Sequence, residues 1–198
     1  MSKYKNIFVL TTGRAGSTTF SRACQFIEGY SASHESLNDK IGKYRFEYPE
    51  MHIEVDNRLA WHLGHLNEIY GNDAFYVFLK RRKTRVADSF AARGYSGIMH
   101  AFGNSGIVRE GGKNSKLQLA EFYVDTVYAN INHFLQDKDH LVVEMENIEE
   151  DFMKFLDACQ LRADLGSIKE CLATEFNTRA SHKQGIISHL RSKISYFK

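Results

Sequence analysis

The chain has 198 residues, 43% hydrophobic and 25% charged, the proportions of an ordinary globular domain with material for one core. Its formal net charge is only +2, which argues against a nucleic-acid partner; the charge that stands out is local, the run Lys80, Arg81, Arg82, Lys83 and Arg85. Three cysteines, Cys24, Cys159 and Cys171, show neither paired spacing nor a zinc pattern, which points to reduced thiols and a cytoplasmic setting rather than a disulfide-stapled secreted one.

The first apolar run, residues 7–10, is too short for a signal-peptide core or a membrane span, so no stable membrane insertion is expected. It suits a strand buried on both faces, as in a parallel sheet. A small-residue turn follows at 11–16, and then Phe20, Cys24 and Ile27 recur at helical spacing. Short strands are expected at 31–34 and 52–55. Leu59, Leu63, Leu66 and Tyr70 mark one face of a helix, which Gly71-Asn72-Asp73 ends. Residues 75–79 form the clearest interior strand and run directly into the basic cluster and a helix bearing Val86, Ala87, Phe90 and Ala91.

Residues 94–115 are rich in Gly, Ser and Asn and read as a mobile loop with room for one short helical turn. Leu117, Ala120, Val124, Val127, Ile131 and Leu135 then define a long amphipathic helix, and 141–143 a further buried strand. Asn147 with Glu150 three residues on resembles a helix start, followed by Phe152, Phe155, Leu156 and Cys159. Residues 181–198 form a basic tail. Strands alternating with helices predict one three-layer α/β domain over 1–198, with a mainly parallel sheet flanked by helices.

The chemistry concentrates between the first strand and the first helix, in Thr11-Thr12-Gly13-Arg14-Ala15-Gly16-Ser17-Thr18-Thr19. Small residues let a backbone wrap closely around a ligand, and a helix N-terminus offers unpaired N–H groups and partial positive charge. Arg14 adds full charge, and Ser17, Thr18 and Thr19 add hydroxyl donors. The set suits a phosphate or phosphosulfate. No Lys precedes a Ser or Thr here, so the Walker A pattern of ordinary ATP and GTP hydrolases is absent.

TTGRAGSTTF resembles the 5′-phosphosulfate loop of sulfotransferases that use 3′-phosphoadenosine 5′-phosphosulfate (PAPS), in particular small soluble bacterial-type or carbohydrate-type members. In that resemblance Arg14 stands where cytosolic members carry Lys, and Ala15, Gly16, Ser17, Thr18 and Thr19 surround the phosphosulfate. FYVFLKRRKTRVADSF is similar to the family's 3′-phosphate segment, with Arg81 at the strand end and Ser89 about two turns into the next helix. LVVEMENIEEDFMKFLDACQL resembles the family's late strand and helix, where Glu144 reads as structural. Arg179, Lys183 and Gly185 are candidates for the family's closing segment. The resemblance implies a P-loop-like nucleotide-binding core and in-line sulfuryl transfer from PAPS to an acceptor hydroxyl or amine. It also implies adenosine 3′,5′-bisphosphate (PAP) as product, a small-molecule or glycan acceptor, and no metal.

The acceptor must lose a proton, so a base belongs near the loop. Ser33-His34-Glu35-Ser36 falls where a second parallel strand would end, on the usual ligand edge of an open α/β sheet. Some family members carry a Glu shortly after the first helix, which makes Glu35 the first candidate and His34 its rival. The candidate catalytic set is therefore Glu35, Arg14 and His34. His62 and His65 read as surface or core polar residues, while His100, Trp61, Tyr95 and Phe102 are candidates to meet or line an acceptor, with core packing the competing role for Trp61. Two other functions remain compatible: a P-loop-like nucleotide or small-molecule kinase, and a non-catalytic nucleotide-binding module.

Overall fold

The computed structural model describes residues 3–93, 97–104, 106–109 and 112–173. Strand β1 (Asn6–Leu10) has all five residues buried and leads through a tight loop into α1 (Ser17–Cys24). Then come β2 (Ser31–His34), β3 (His52–Val55), a 3-10 turn at Asn57–Trp61 and α2 (Leu63–Ile69). The second half holds β4 (Phe75–Lys80), α3 (Lys83–Ala91), α4 (Ile98–Gly103), α5 (Lys116–Phe134), β5 (His140–Glu144), α6 (Ile148–Ala158) and α7 (Leu165–Ala173). The strands form a five-stranded sheet in the order β2-β3-β1-β4-β5, every pairing parallel.

Alternation along the central strands builds two cores, because successive side chains of a strand point to opposite faces. Ile7 and Val9 pack with Phe20 of α1, Phe152 and Phe155 of α6, and Ile168 of α7. Phe8 and Leu10 pack with Leu66 of α2, Val86 of α3, and Val124 and Val127 of α5. Each large side chain so buried contributes about 1.5–3 kcal/mol. Helices on both faces explain why β1 and β4 are continuous apolar runs rather than alternating ones. The expected three-layer parallel α/β architecture is the one found.

Three elements differ from expectation. The helix expected over Leu59 to Tyr70 is broken at His62, whose φ of −126° lies outside the helical region. Leu59 and Leu66 are both fully buried on the same core, so their spacing reads through the break. The Gly-rich stretch 94–115 contains α4, and its Met99 and Phe102 are buried. Residues 94–96, 105, 110 and 111, Tyr95 among them, lie outside the described residues. Helix α7 was not expected, although its start is legible: Asp164 accepts from the Gly166 and Ser167 N–H groups at 3.0 and 3.2 Å, an N-cap arrangement. The helix at 148 starts without a side-chain cap from Asn147; acids in its first turn, Glu149, Glu150 and Asp151, face the helix dipole instead. Arg179, Lys183, Gly185 and the tail 181–198 lie outside the described residues. Among the described residues no helix is long and apolar enough to cross a membrane.

The chain builds β2 and β3 on one side of β1, then crosses to β4 and β5 on the other. That reversal makes the carboxyl end of β1 the topological switch point, the usual ligand position in such sheets.

Candidate active site

The loop after β1 turns through left-handed backbone at Gly13 (φ 76°), Arg14 (φ 59°) and Gly16 (φ 83°). Turns of this kind gather N–H groups into an anion-binding concavity. Close packing reinforces the need for glycine. A Cβ on Gly13 would lie 2.8 Å from Asn57 Nδ2, and one on Gly16 would lie 2.3 Å from Met145 Sδ. The loop is also held from below: the Thr12 carbonyl accepts from the Tyr123 hydroxyl at 2.8 Å and from Asn57 Nδ2 at 3.4 Å. Gly16 is the N-cap of α1, with no side-chain cap and no acid in the first turn, so the positive end of that helix is left for another partner.

Arg14, Arg81 and Ser89 meet beside this loop. Arg14 Nε donates to Ser89 Oγ at 3.0 Å, and Arg81 Nη1 donates to the Arg14 carbonyl at 3.5 Å. Burial pulls the Arg14 pKa down, and the charges of Arg93 and Arg81 pull it further. Among the described residues, none of these three guanidiniums has an ion-pair partner. The rest of the basic run is deployed elsewhere. Lys80 sits 4.0 Å from Glu144 and over the rings of Phe78 and Tyr128. Lys83 pairs with Asp125 at 2.6 Å, and the Arg82 N–H donates to Glu146 at 3.0 Å. The Glu144 N–H donates to Asp151 at 2.9 Å.

The end of β2 lies on the same edge. His34 Nε2 is 3.0 Å from Ser17 Oγ, with the donor decided by the imidazole tautomer. Glu35 adopts left-handed backbone (φ 54°), and its carboxylate pairs with Arg58 and accepts from Asn38 Nδ2 at 3.4 Å. The two candidate bases therefore differ: His34 meets the loop, whereas Glu35 is committed to a guanidinium. Within the loop, Ala15 is fully buried and offers only backbone, and Thr19 is 3% exposed, which leaves its hydroxyl little access to a ligand. Ser17 and Thr18 are half-buried.

Several neighbours of the loop escaped the sequence reading. Asn57 and Arg58 follow the carboxyl end of β3, so the strand-end rule points to them once β3 is recognised. Arg93 stands four residues after Ser89, a helical spacing. Tyr123 and Met145 carry no local signal. Phe102, a candidate acceptor contact, is 1% exposed and packs with Trp61 and Tyr123 at 6.0 and 5.2 Å between ring centres. Tilted and edge-on ring packing, with burial, makes Phe102 core rather than pocket wall. His100 contacts Asn104, the C-cap of its own helix, at 3.0 Å.

No protein-family model and no curated protein sequence matches this chain. A sulfotransferase domain from the curacin biosynthetic pathway superposes with a TM-score of 0.59 over 83% of this chain and 76% of that one, at 12% identity. The fold is that of the sulfotransferases. At this identity the likeness is one of architecture. A mouse sulfotransferase, SULT7A1, complexed with PAP, gives a TM-score of 0.47 over 90% of this chain and 62% of that one, at 14% identity.

Proposed function

We propose that this protein is a sulfotransferase that moves a sulfuryl group from PAPS to a hydroxyl or amine of an acceptor. One observation carries the reading. Arg14, Arg81 and Arg93 are gathered beside an uncapped helix N-terminus at the switch point of a parallel sheet, with no ion pair to a carboxylate among the described residues. Like charges held together cost free energy that a bound polyanion offsets. An adenosine bisphosphate fits that demand, because it carries anionic groups at two ends and the site has two cationic elements from two strand ends.

In this reading Arg14, the α1 N–H groups and the hydroxyls of Ser17 and Thr18 hold the phosphosulfate. Arg81 and Ser89 hold the 3′-phosphate by charge-assisted and neutral hydrogen bonds. PAPS supplies the sulfuryl group and a bisphosphate leaving group. The acceptor oxygen or nitrogen forms a bond to sulfur as the bond from sulfur to the bridging phosphate oxygen breaks. His34, already against Ser17, is the better placed residue to take the acceptor's proton. Glu35 orients Arg58 beside it. The protein's contribution is then positioning and charge compensation.

The test is a calorimetric titration of purified protein with PAP, alongside transfer from radiolabelled PAPS to an acceptor panel. Arg81→Ala should weaken PAP binding about 10- to 100-fold, the worth of one hydrogen-bonded charge. Equal affinity in the variant and the parent would sink the assignment.

A further inference from the structure

We infer that the acceptor pairs an anionic group with an apolar body, and that it lodges in a cavity of about 560 Å³ beside Glu35. This inference rests on the sulfotransferase reading above and specifies the substrate class of the same site.

The cavity is walled by the segment after β2 and by the 3-10 turn and α2 after β3. It therefore sits on the sheet edge that carries the Arg14 loop. Two of its lining residues, Arg58 and Asn38, are the residues that bond the Glu35 carboxylate. Glu35 in turn neighbours His34, whose imidazole lies against Ser17. The acceptor's anionic and apolar parts lodge in the cavity, and its hydroxyl has to extend past Glu35 to His34, where it meets the loop directly.

Its lining is amphiphilic. Phe46 is buried at its base, with its ring 5.6 Å from that of His62 and 5.1 Å from that of His65. Ile41 and Ile69 line it while 85% and 51% exposed, apolar surface that the fold leaves uncovered. No lining residue is an acid. Arg45 and Arg58 are committed to Asp56 and Glu35. Lys43 is not: it faces Glu47 at 3.6 Å with both side chains mostly exposed, an arrangement worth about 0–1 kcal/mol, which a ligand anion replaces readily. The His62 ring has no hydrogen-bond partner among the described residues, and its neighbours are Phe46 and His65. Lys40 and His65 face Asp39 and Glu68 at 3.0 and 3.5 Å in exposed pairs of the same kind, so Lys40, Lys43, His62 and His65 are the groups that can turn to a carboxylate, sulfate or phosphate, over a floor suited to an aryl or alkyl body. None of them belongs to the proposed donor site.

The test uses para-hydroxybenzoate, para-hydroxyphenylacetate and para-hydroxyphenylpropionate, each against its methyl ester. Binding to the PAP-loaded protein is measured by calorimetry, and transfer from PAPS is measured on the same pairs. At least one acid should bind about tenfold or more tightly than its ester. The double charge reversal Lys43→Glu with His65→Glu should abolish that preference while PAP affinity stays unchanged. Both side chains are more than half exposed, so the fold should tolerate the change, and its melting temperature checks this. Acids and esters that bind alike, or a preference that survives the reversal, would overturn the inference while PAP binding weakened by Arg81→Ala leaves the parent reading standing. Failure of the parent protein to bind PAP removes both.

Discussion

The two halves of the sheet treat their buried charge in opposite ways. Around β2 and β3 three enclosed groups have acids: Arg45 pairs with Asp56, His52 Nε2 lies 3.0 Å from Glu54, and Arg58 pairs with Glu35. Beyond β1 and β4, Arg14 and Arg81 lie together with Arg93 near, and no acid among the described residues answers them. A charge deep in the fold needs its partner within the chain, because an unpaired one costs several kcal/mol. A partly exposed cluster of one sign is solvated by water and stays open to a ligand of the other sign. The contrast separates charges that hold the scaffold from charges that, in the proposed function, meet the substrate.

The largest effect should come from the paired half. Asp56→Ala strands the Arg45 guanidinium, which is 5% exposed, and should cost about 3–5 kcal/mol in denaturant unfolding. Burial lowers the Arg45 pKa, Asp56 and Tyr48 together raise it, and the net is raised; burial also pushes the Asp56 carboxyl up, so it is the direct contact between guanidinium and carboxylate that identifies the ion pair. Arg14→Ala should do the reverse. It removes a repulsive charge, so stability should not fall, whereas PAP affinity should drop about 10-fold or more. A large stability loss at Arg14, or none at Asp56, would erase the distinction.

Gly16→Ala comes next. It forces a side chain onto left-handed backbone and into Met145, which should cost about 1–3 kcal/mol by thermal melting and weaken PAP binding as well. Adding Met145→Ala should recover only the steric share.

A smaller, pH-dependent effect belongs to Glu54. Burial raises its pKa, but hydrogen bonds from His52 and Ser36 pull harder, and the net is a value below the ordinary 4.5. A lowered carboxyl pKa stabilises the fold above the ordinary value and loses that contribution as pH falls through the native one. The stability gap between the parent and Glu54→Gln should therefore be full above about pH 4.5 and shrink below it. A gap independent of pH would show that the network is not held by the charged carboxylate.

The smallest effect should be Lys83→Ala. Its pair with Asp125 is exposed, so neither stability nor PAP affinity should change measurably. A loss equal to that of Arg81→Ala would mean that the whole basic run acts as one diffuse patch.

Much of the fold was legible because its signals are local. The apolar runs at 7–10 and 75–79 appear as β1 and β4, and the alternation of elements as a parallel sheet. The small residues of the loop announced a turn that the glycines indeed require. Helix α7 was overlooked despite its Asp164 cap and the Ile168–Leu172 spacing, because a nine-residue helix with two buried side chains leaves a weak pattern. Tyr123 was invisible for a different reason: its bond to Thr12 spans 111 positions, and nothing near either residue specifies the other.

The sequence alone determined most of the strands and the long helices, that a loop with two glycines follows the first strand, and that Arg81 follows the fourth, since each depends on neighbours a few positions away. Only the tertiary structure decided that β4 lies against β1, which brings Arg81 to Arg14 across 67 positions. It also decided which cations find acids and which stay open. Charge pairing depends on distance in space, and sheet order sets those distances.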